Sequence, residues 1–152
     1  MSLRNNIKLV CIGITSLVLV LDQYTKYLVT NNILSLNNKN FILFTVDFVK
    51  NYGAAFSILS NKTFFLCLIS ILSSIIIILI LVYNKNIINS DRFGLSFILG
   101  GCIGNGIDRV LNGYVVDYIN LNFIDFAVFN LADIFINIGF FILLKNIIRK
   151  KI

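Results

Sequence analysis

The sequence predicts an all-α membrane protein of four transmembrane helices, with a few short strands at its extracytoplasmic surface. Three observations carry that expectation. Mean hydropathy is +0.90, and only 13% of the 152 residues are charged while 58% are hydrophobic, a balance typical of chains that dissolve in lipid. The apolar residues gather into four runs, each close to the roughly 20 residues that a helix needs to cross the hydrocarbon core. Between the first two runs lies "FILFTVDFV", aromatic and β-branched in the manner of a strand. At this length one domain, residues 1–152, is expected.

The first span runs from about Ile7 to Leu28. Its basic start and apolar middle resemble a cleavable leader. It continues into "LDQYTKYLV" without a small-x-small cleavage pattern, so a permanent helix is expected. Residues 29 to 62 then form an outer connection holding the strands. The second span covers about Thr63 to Val82 and includes "SSIIIILILV". The third, about Phe93 to Val110, is diluted by "GGCIGNGIDR". A shorter outer segment, around 111 to 125, leads to the fourth span, about Phe126 to Ile148.

Flanking charge orients the bundle. Arg4, Lys8, Lys85, Arg92, Lys145, Arg149, Lys150 and Lys151 all fall on one side when both ends of the chain are cytoplasmic. Lys26, Lys39, Lys50, Lys62 and Arg109 are spread over longer segments on the other. The net charge of +6 is therefore read as attraction to anionic lipid. No basic stretch interleaved with aromatics is present, and no nucleic-acid partner is expected.

Composition excludes several chemistries. There is no His, and all seven acidic residues are Asp. A His-based zinc site and a Ser-His or Cys-His nucleophile pair are both impossible. Cys11, Cys67 and Cys102 are separate residues of apolar segments, read as buried small hydrophobes. No metal or organic cofactor is implied, since no ligand cluster exists.

In that orientation the unusual polar residues collect at the outer face. Asp22 and Lys26 come at the outer end of the first helix, Asn105, Asp108 and Arg109 at that of the third, and Asn130 and Asp133 near the start of the fourth. Asn51 and Asp117 belong to the outer connections. Asp133 stands about seven residues, or roughly 10 Å, inside its expected span, where an ionised carboxylate costs several kcal/mol unless a wet cleft reaches it. Asn130, Asp133 and Asn137 share one helical face, and Gly101, Asn105 and Asp108 another.

Two carboxylates sharing a proton can hydrolyse a peptide bond, one activating water and the other polarising the carbonyl. Asp22 has Lys26 at the spacing of a helical ion pair, and Asp108 has Arg109 beside it, so structural pairs are expected for both. Asp47 has Lys50 nearby, and Asp91 lies on the cytoplasmic side. Asp117, Asp125 and Asp133 have no close basic neighbour and are three candidates for two places. A Ser-Lys pair such as Ser57 with Lys62 lacks spacing support. A small proton-coupled transporter would also use intramembrane Asp and Asn. Yet the polar residues sit at one face, and no polar path crosses the inner halves of the spans. A purely structural membrane subunit explains the gathered carboxylates least well.

Five motifs in order carry a resemblance: "DQYTK" at 22–26, "NYGAAFSIL" at 51–59, "GGCIGNGIDR" at 100–109, "VVDYI" at 115–119 and "FNLADIFI" at 129–136. With the four spans they resemble the lipoprotein signal peptidases, or signal peptidases II, over nearly the whole chain. The resemblance implies an aspartic endopeptidase of the bacterial cytoplasmic membrane. Such an enzyme removes the signal peptide of a prolipoprotein just before a cysteine that already carries diacylglycerol. It implies Asp117 and Asp133 as the catalytic pair, with Asn51, Asn105, Asp108, Arg109 and Asn130 lining or bracing the site. Asp22 and Lys26 match a motif with a structural part. The implied fold is a four-helix bundle with a small extracytoplasmic β-cradle and a surface helix or loop over the site. The implied partners are lipid-modified prolipoproteins and membrane lipid, and nothing demands more than a monomer. Two features depart from the family pattern. The stretch "NLNFIDFAVFN" lacks the Trp and Pro common before that last motif, and Gly106 follows Asn105.

Overall fold

The computed structural model describes residues 3–53, 59 and 62–150. In chain order the elements are α1 (Leu3–Thr30), a single 3-10 turn (Ile33–Ser35), β1 (Lys39–Asn40), β2 (Phe44–Asn51), α2 (Thr63–Tyr83), α3 (Asn89–Asn112), β3 (Val115–Leu121) and α4 (Leu131–Lys150). The chain is mostly helical, with a small antiparallel sheet ordered β1-β2-β3. Asn6–Thr30, Thr63–Tyr83 and Leu131–Arg149 are each long and apolar enough to cross a membrane. Their outer faces carry large exposed apolar side chains, among them Leu17, Val20, Phe64, Ile76, Phe141 and Ile147. Such a surface belongs in lipid rather than water.

α3 is the centre of the bundle and packs against α1, α2 and α4. Its glycines explain its diluted hydropathy. A Cβ on Gly100 would lie 2.7 Å from Val18 of α1, and one on Gly101 2.6 Å from the Ala132 carbonyl of α4. Small residues thus let three helices approach closely, and α3 turns much of its polar surface toward protein instead of lipid. Gly113, with φ of 77°, closes α3 in the left-handed conformation and donates its N–H to the Arg109 carbonyl. The chain can then turn directly into β3.

Val29, Val46, Val116 and Tyr118 form a small buried core that seats the sheet on the end of α1. In the β2–β3 ladder Val46 faces Ile119 but Val49 faces Asp117, so β2 advances three residues while β3 advances two. That one-residue bulge re-aims the strand next to Asp117.

Several expected boundaries shift, α3 by four residues at its start and two at its end. α1 begins earlier and ends later than 7–28. α4 begins at Leu131, five residues after the expected Phe126, because Phe129 pairs with Ile119 as an isolated β-bridge and holds the preceding chain extended. Asp133 is therefore the third residue of α4, about 3 Å along its axis rather than 10. Hydropathy alone misplaced it, since apolar strand and apolar helix read alike. The motif at 51–59, and Ser57 within it, falls partly outside the described residues, as does the expected cover over the site.

Candidate active site

The α4 start is built by a reciprocal cap. Asn130 Oδ1 accepts from the Asp133 N–H at 3.1 Å, and Asp133 Oδ2 accepts from the Asn130 N–H at 3.2 Å. The "NLAD" sequence is thus a capping box, with Asp in the place usually held by Glu. Asp133 keeps its second oxygen, Oδ1, for Asn105 Nδ2 at 2.9 Å.

Asp117 comes from the middle of β3 and is 2% exposed. Asn51, its diagonal neighbour on β2, donates from Nδ2 to Asp117 Oδ2 at 2.8 Å, and Asn130 Nδ2 donates to Oδ1 at 2.6 Å. Each amide is held by its other atom. Asn51 Oδ1 accepts from the Gly53 N–H, and Asn105 Oδ1 accepts from both Lys26 Nζ and Asn130 Nδ2. All three amide groups are therefore turned so that N–H groups meet the carboxylates. Burial, and then the charge of Asp133, push Asp117 from the ordinary carboxylate value up to about 7, while the Asn51 and Asn130 amides pull the other way. The neighbouring phenol of Tyr118 donates to Thr25 Oγ1 at 2.7 Å, and burial raises it to about 12. It therefore stays protonated at neutral pH.

Beneath the pair, Lys26 is 3% exposed and lies 2.8 Å from Asp22, 3.0 Å from Asp108 and 2.9 Å from Asn105 Oδ1. Its three donors have three acceptors. Asp22 also accepts from the Ala132 N–H in the first turn of α4, and Asp108 from the Val116 N–H of β3. One ammonium group thus ties α1, α3, β3 and α4 together. The ion pair expected between Asp108 and Arg109 does not form. Lys26 takes Asp108, because α1 packs its buried face there. Arg109 turns the other way, donating to the carbonyls of Asn105 and Gly53. Its Nε is buried, with no hydrogen-bond partner among the described residues. Asp47 likewise accepts from Asn120 Nδ2, while Lys50 lies over the Tyr114 ring.

A cavity of about 630 Å³ opens onto both carboxylates. Asn51, Asn105, Arg109 and Asn137 supply the rest of its polar wall, and Phe123, Phe126, Ile134 and Phe141 much of its apolar one. Asp108, Asn130, Asp22 and Lys26 stand behind the wall. Asp125 is exposed and does not line the cavity. Sequence reading missed Gln23, whose Nε2 lies 3.2 Å from acceptors on Asp22, Gly104 and Asp108. Its place inside "DQYTK" was the available signal. The described residues contain no group of three or more Cys or Asp placed to hold a metal ion.

The sequence model of the Signal peptidase (SPase) II family matches residues 14–149. The lipoprotein signal peptidase of Enterococcus faecalis is 42% identical over 130 residues, covering 83% of this chain and 80% of that one. That of Caldanaerobacter subterraneus is 43% identical over 136 residues, covering 87% and 91%. A solved structure described as "Bacterial membrane enzyme structure by the in meso method at 2.3 A resolution" superposes with a TM-score of 0.84 at 30% identity, over 93% of this chain and 89% of that one. With motifs, fold and relatives in agreement over most of its length, the chain belongs to the signal peptidase II family.

Proposed function

We propose that Asp117 and Asp133 are the catalytic dyad with which this signal peptidase II, an aspartic endopeptidase, cleaves prolipoprotein signal peptides. The observation that carries this reading is the shared hydrogen-bond frame. Asn130 donates to both carboxylates, through Nδ2 to one and its main-chain N–H to the other, and both face one cavity. With Asp117 near 7, the pair holds one proton over a range around neutral pH. The ionised member takes a proton from water as the water attacks the scissile carbonyl. The protonated member gives its proton to the carbonyl oxygen as that oxygen gains charge; the first member then passes the proton it took from water to the leaving amine, and the second recovers its own as the new carboxyl group forms. The apolar wall suits an apolar signal sequence and a diacylglyceryl chain, which supports cleavage just before the lipidated cysteine.

In this reading residues 1–152 form a single peptidase domain acting as a monomer in contact with membrane lipid. All four helices cross the bacterial cytoplasmic membrane. α3 has 24 residues, about 36 Å of helix, and its glycine-rich faces are sheltered by its neighbours. Lys8, Lys85, Arg92, Lys145 and Arg149 lie at one end, which supports a cytoplasmic location for both chain ends and an extracytoplasmic one for the dyad.

The test is cleavage of a diacylglyceryl-modified prolipoprotein by the detergent-purified protein, beside Asp117→Asn and Asp133→Asn. Wild type should cut before the lipidated cysteine and neither variant should. Full activity in either variant would end the dyad assignment.

A further inference from the structure

A second cavity, of about 320 Å³, lies at the end of the bundle opposite the dyad. Lys8 on its wall is eighteen residues from Lys26 on α1, about 27 Å along the helix. The cavity exists because α1 and α2 both pack on α3 and scarcely touch each other. Its walls are Ile12 of α1 and Ile78 of α2, and its floor is Leu99 and Ile103 of α3. Ile12 is 63% exposed and Ile78 43%, so the cleft opens sideways to lipid.

Two cations join this apolar lining, Lys8 and Arg92. Arg92 is 8% exposed, and its guanidinium is fixed by the carbonyls of Leu81 and Asn84 at the end of α2, at 3.1 and 2.8 Å. Those acceptors are neutral, and among the described residues neither Lys8 nor Arg92 is ion-paired. A buried guanidinium that meets only the partial negative charge of a helix end still favours a full anion beside it, and phosphate matches its remaining N–H donors. From these observations we infer that the cleft between α1 and α2 binds one anionic phospholipid, its phosphate at Lys8 and Arg92 and an acyl chain along Ile12, Leu99 and Ile103. The signal peptide of a substrate is a poor occupant, because its basic first segment would meet two cations of the same sign. The inference rests only on the chain being embedded in a membrane, and its readout needs no peptidase activity.

The chain has no Trp, so Ile12→Trp supplies a single tryptophan, excited selectively over the tyrosines, at an exposed position beside the cleft. The protein is reconstituted in phosphatidylcholine vesicles with a minority of phosphatidylglycerol, and brominated acyl chains are placed on one lipid or the other at equal mole fraction. A basic residue facing an anionic headgroup is worth about a fivefold preference, so brominated phosphatidylglycerol should quench several times more strongly. Lys8 is exposed, and Lys8→Glu should bring the two lipids close to parity with the helix content unchanged. Equal quenching in the parent, or a preference that survives Lys8→Glu, overturns the inference.

Discussion

Replacing Asp117 by Asn should make the protein more stable as pH rises, relative to wild type, while removing its activity. Asp117 is 2% exposed and is raised from 3.8 to about 7 in the fold. The folded state therefore holds this proton more tightly than the unfolded chain does. Stability from this group is full below about pH 4, falls as pH rises, and levels off above about pH 7. At about 1.4 kcal/mol per unit, the whole shift corresponds to about 4 kcal/mol, of which about 2 to 3 kcal/mol is lost between about pH 5 and pH 8. An Asn at 117 does not titrate. Its amide turns an N–H toward Asn51 or Asn130 and forfeits about 1 kcal/mol of hydrogen bonding, but that cost is the same at every pH. The stability of Asp117→Asn minus that of wild type should thus grow by about 2 to 3 kcal/mol over that interval, roughly 5 to 10 °C in thermal midpoint for a chain this size. Circular dichroism of the helices during heating in detergent measures it. A difference that is constant with pH, or that shrinks, would refute the claim that the Asp117 carboxyl is desolvated and charge-coupled in the fold.

Other substitutions probe the surroundings of the pair. Lys26→Met leaves Asp22 and Asp108 buried without their counter-ion and should cost about 3 to 5 kcal/mol in thermal unfolding. Adding Asp108→Asn should recover part of that, and a loss below about 1 kcal/mol would show that Lys26 is not the tie described. Gly106→Ala should stabilise by up to about 1 kcal/mol, because among the described residues the new Cβ meets only Ser70, at 3.4 Å. Gly101→Ala drives a Cβ to 2.6 Å from the Ala132 carbonyl and should destabilise by about 1 to 3 kcal/mol, so equal effects on thermal midpoint would refute the packing account of the α3 glycines. Asp125→Asn should leave prolipoprotein cleavage at the wild-type rate, since the residue is exposed and off the cavity wall. Abolished cleavage there would return Asp125 to the candidates.

Membrane character, the helical spans and the strand tendency of residues 41–49 were determined by the sequence alone, because hydropathy and backbone preference accumulate along neighbouring residues. So was the exclusion of His-based chemistry, which needs only a count. The gathering of Asp22, Asn105, Asp117 and Asp133 at one end also followed from span order. What the chain could not reveal by itself was which groups meet. Asp108 has Arg109 next to it in sequence and bonds instead to Lys26, 82 positions away, because a helix sends adjacent side chains in different directions. Asp133 looked deep in a span because apolar residues precede it. Only the β-bridge at Phe129 and the Asn130 cap bring it to the helix end. Three aspartates passed the composition filter alike, and burial against a cavity separates Asp117 and Asp133 from Asp125. Local preference selects the elements. The partners of a buried polar group depend on the chain segments that pack around it, since each donor and acceptor removed from water must find its match there.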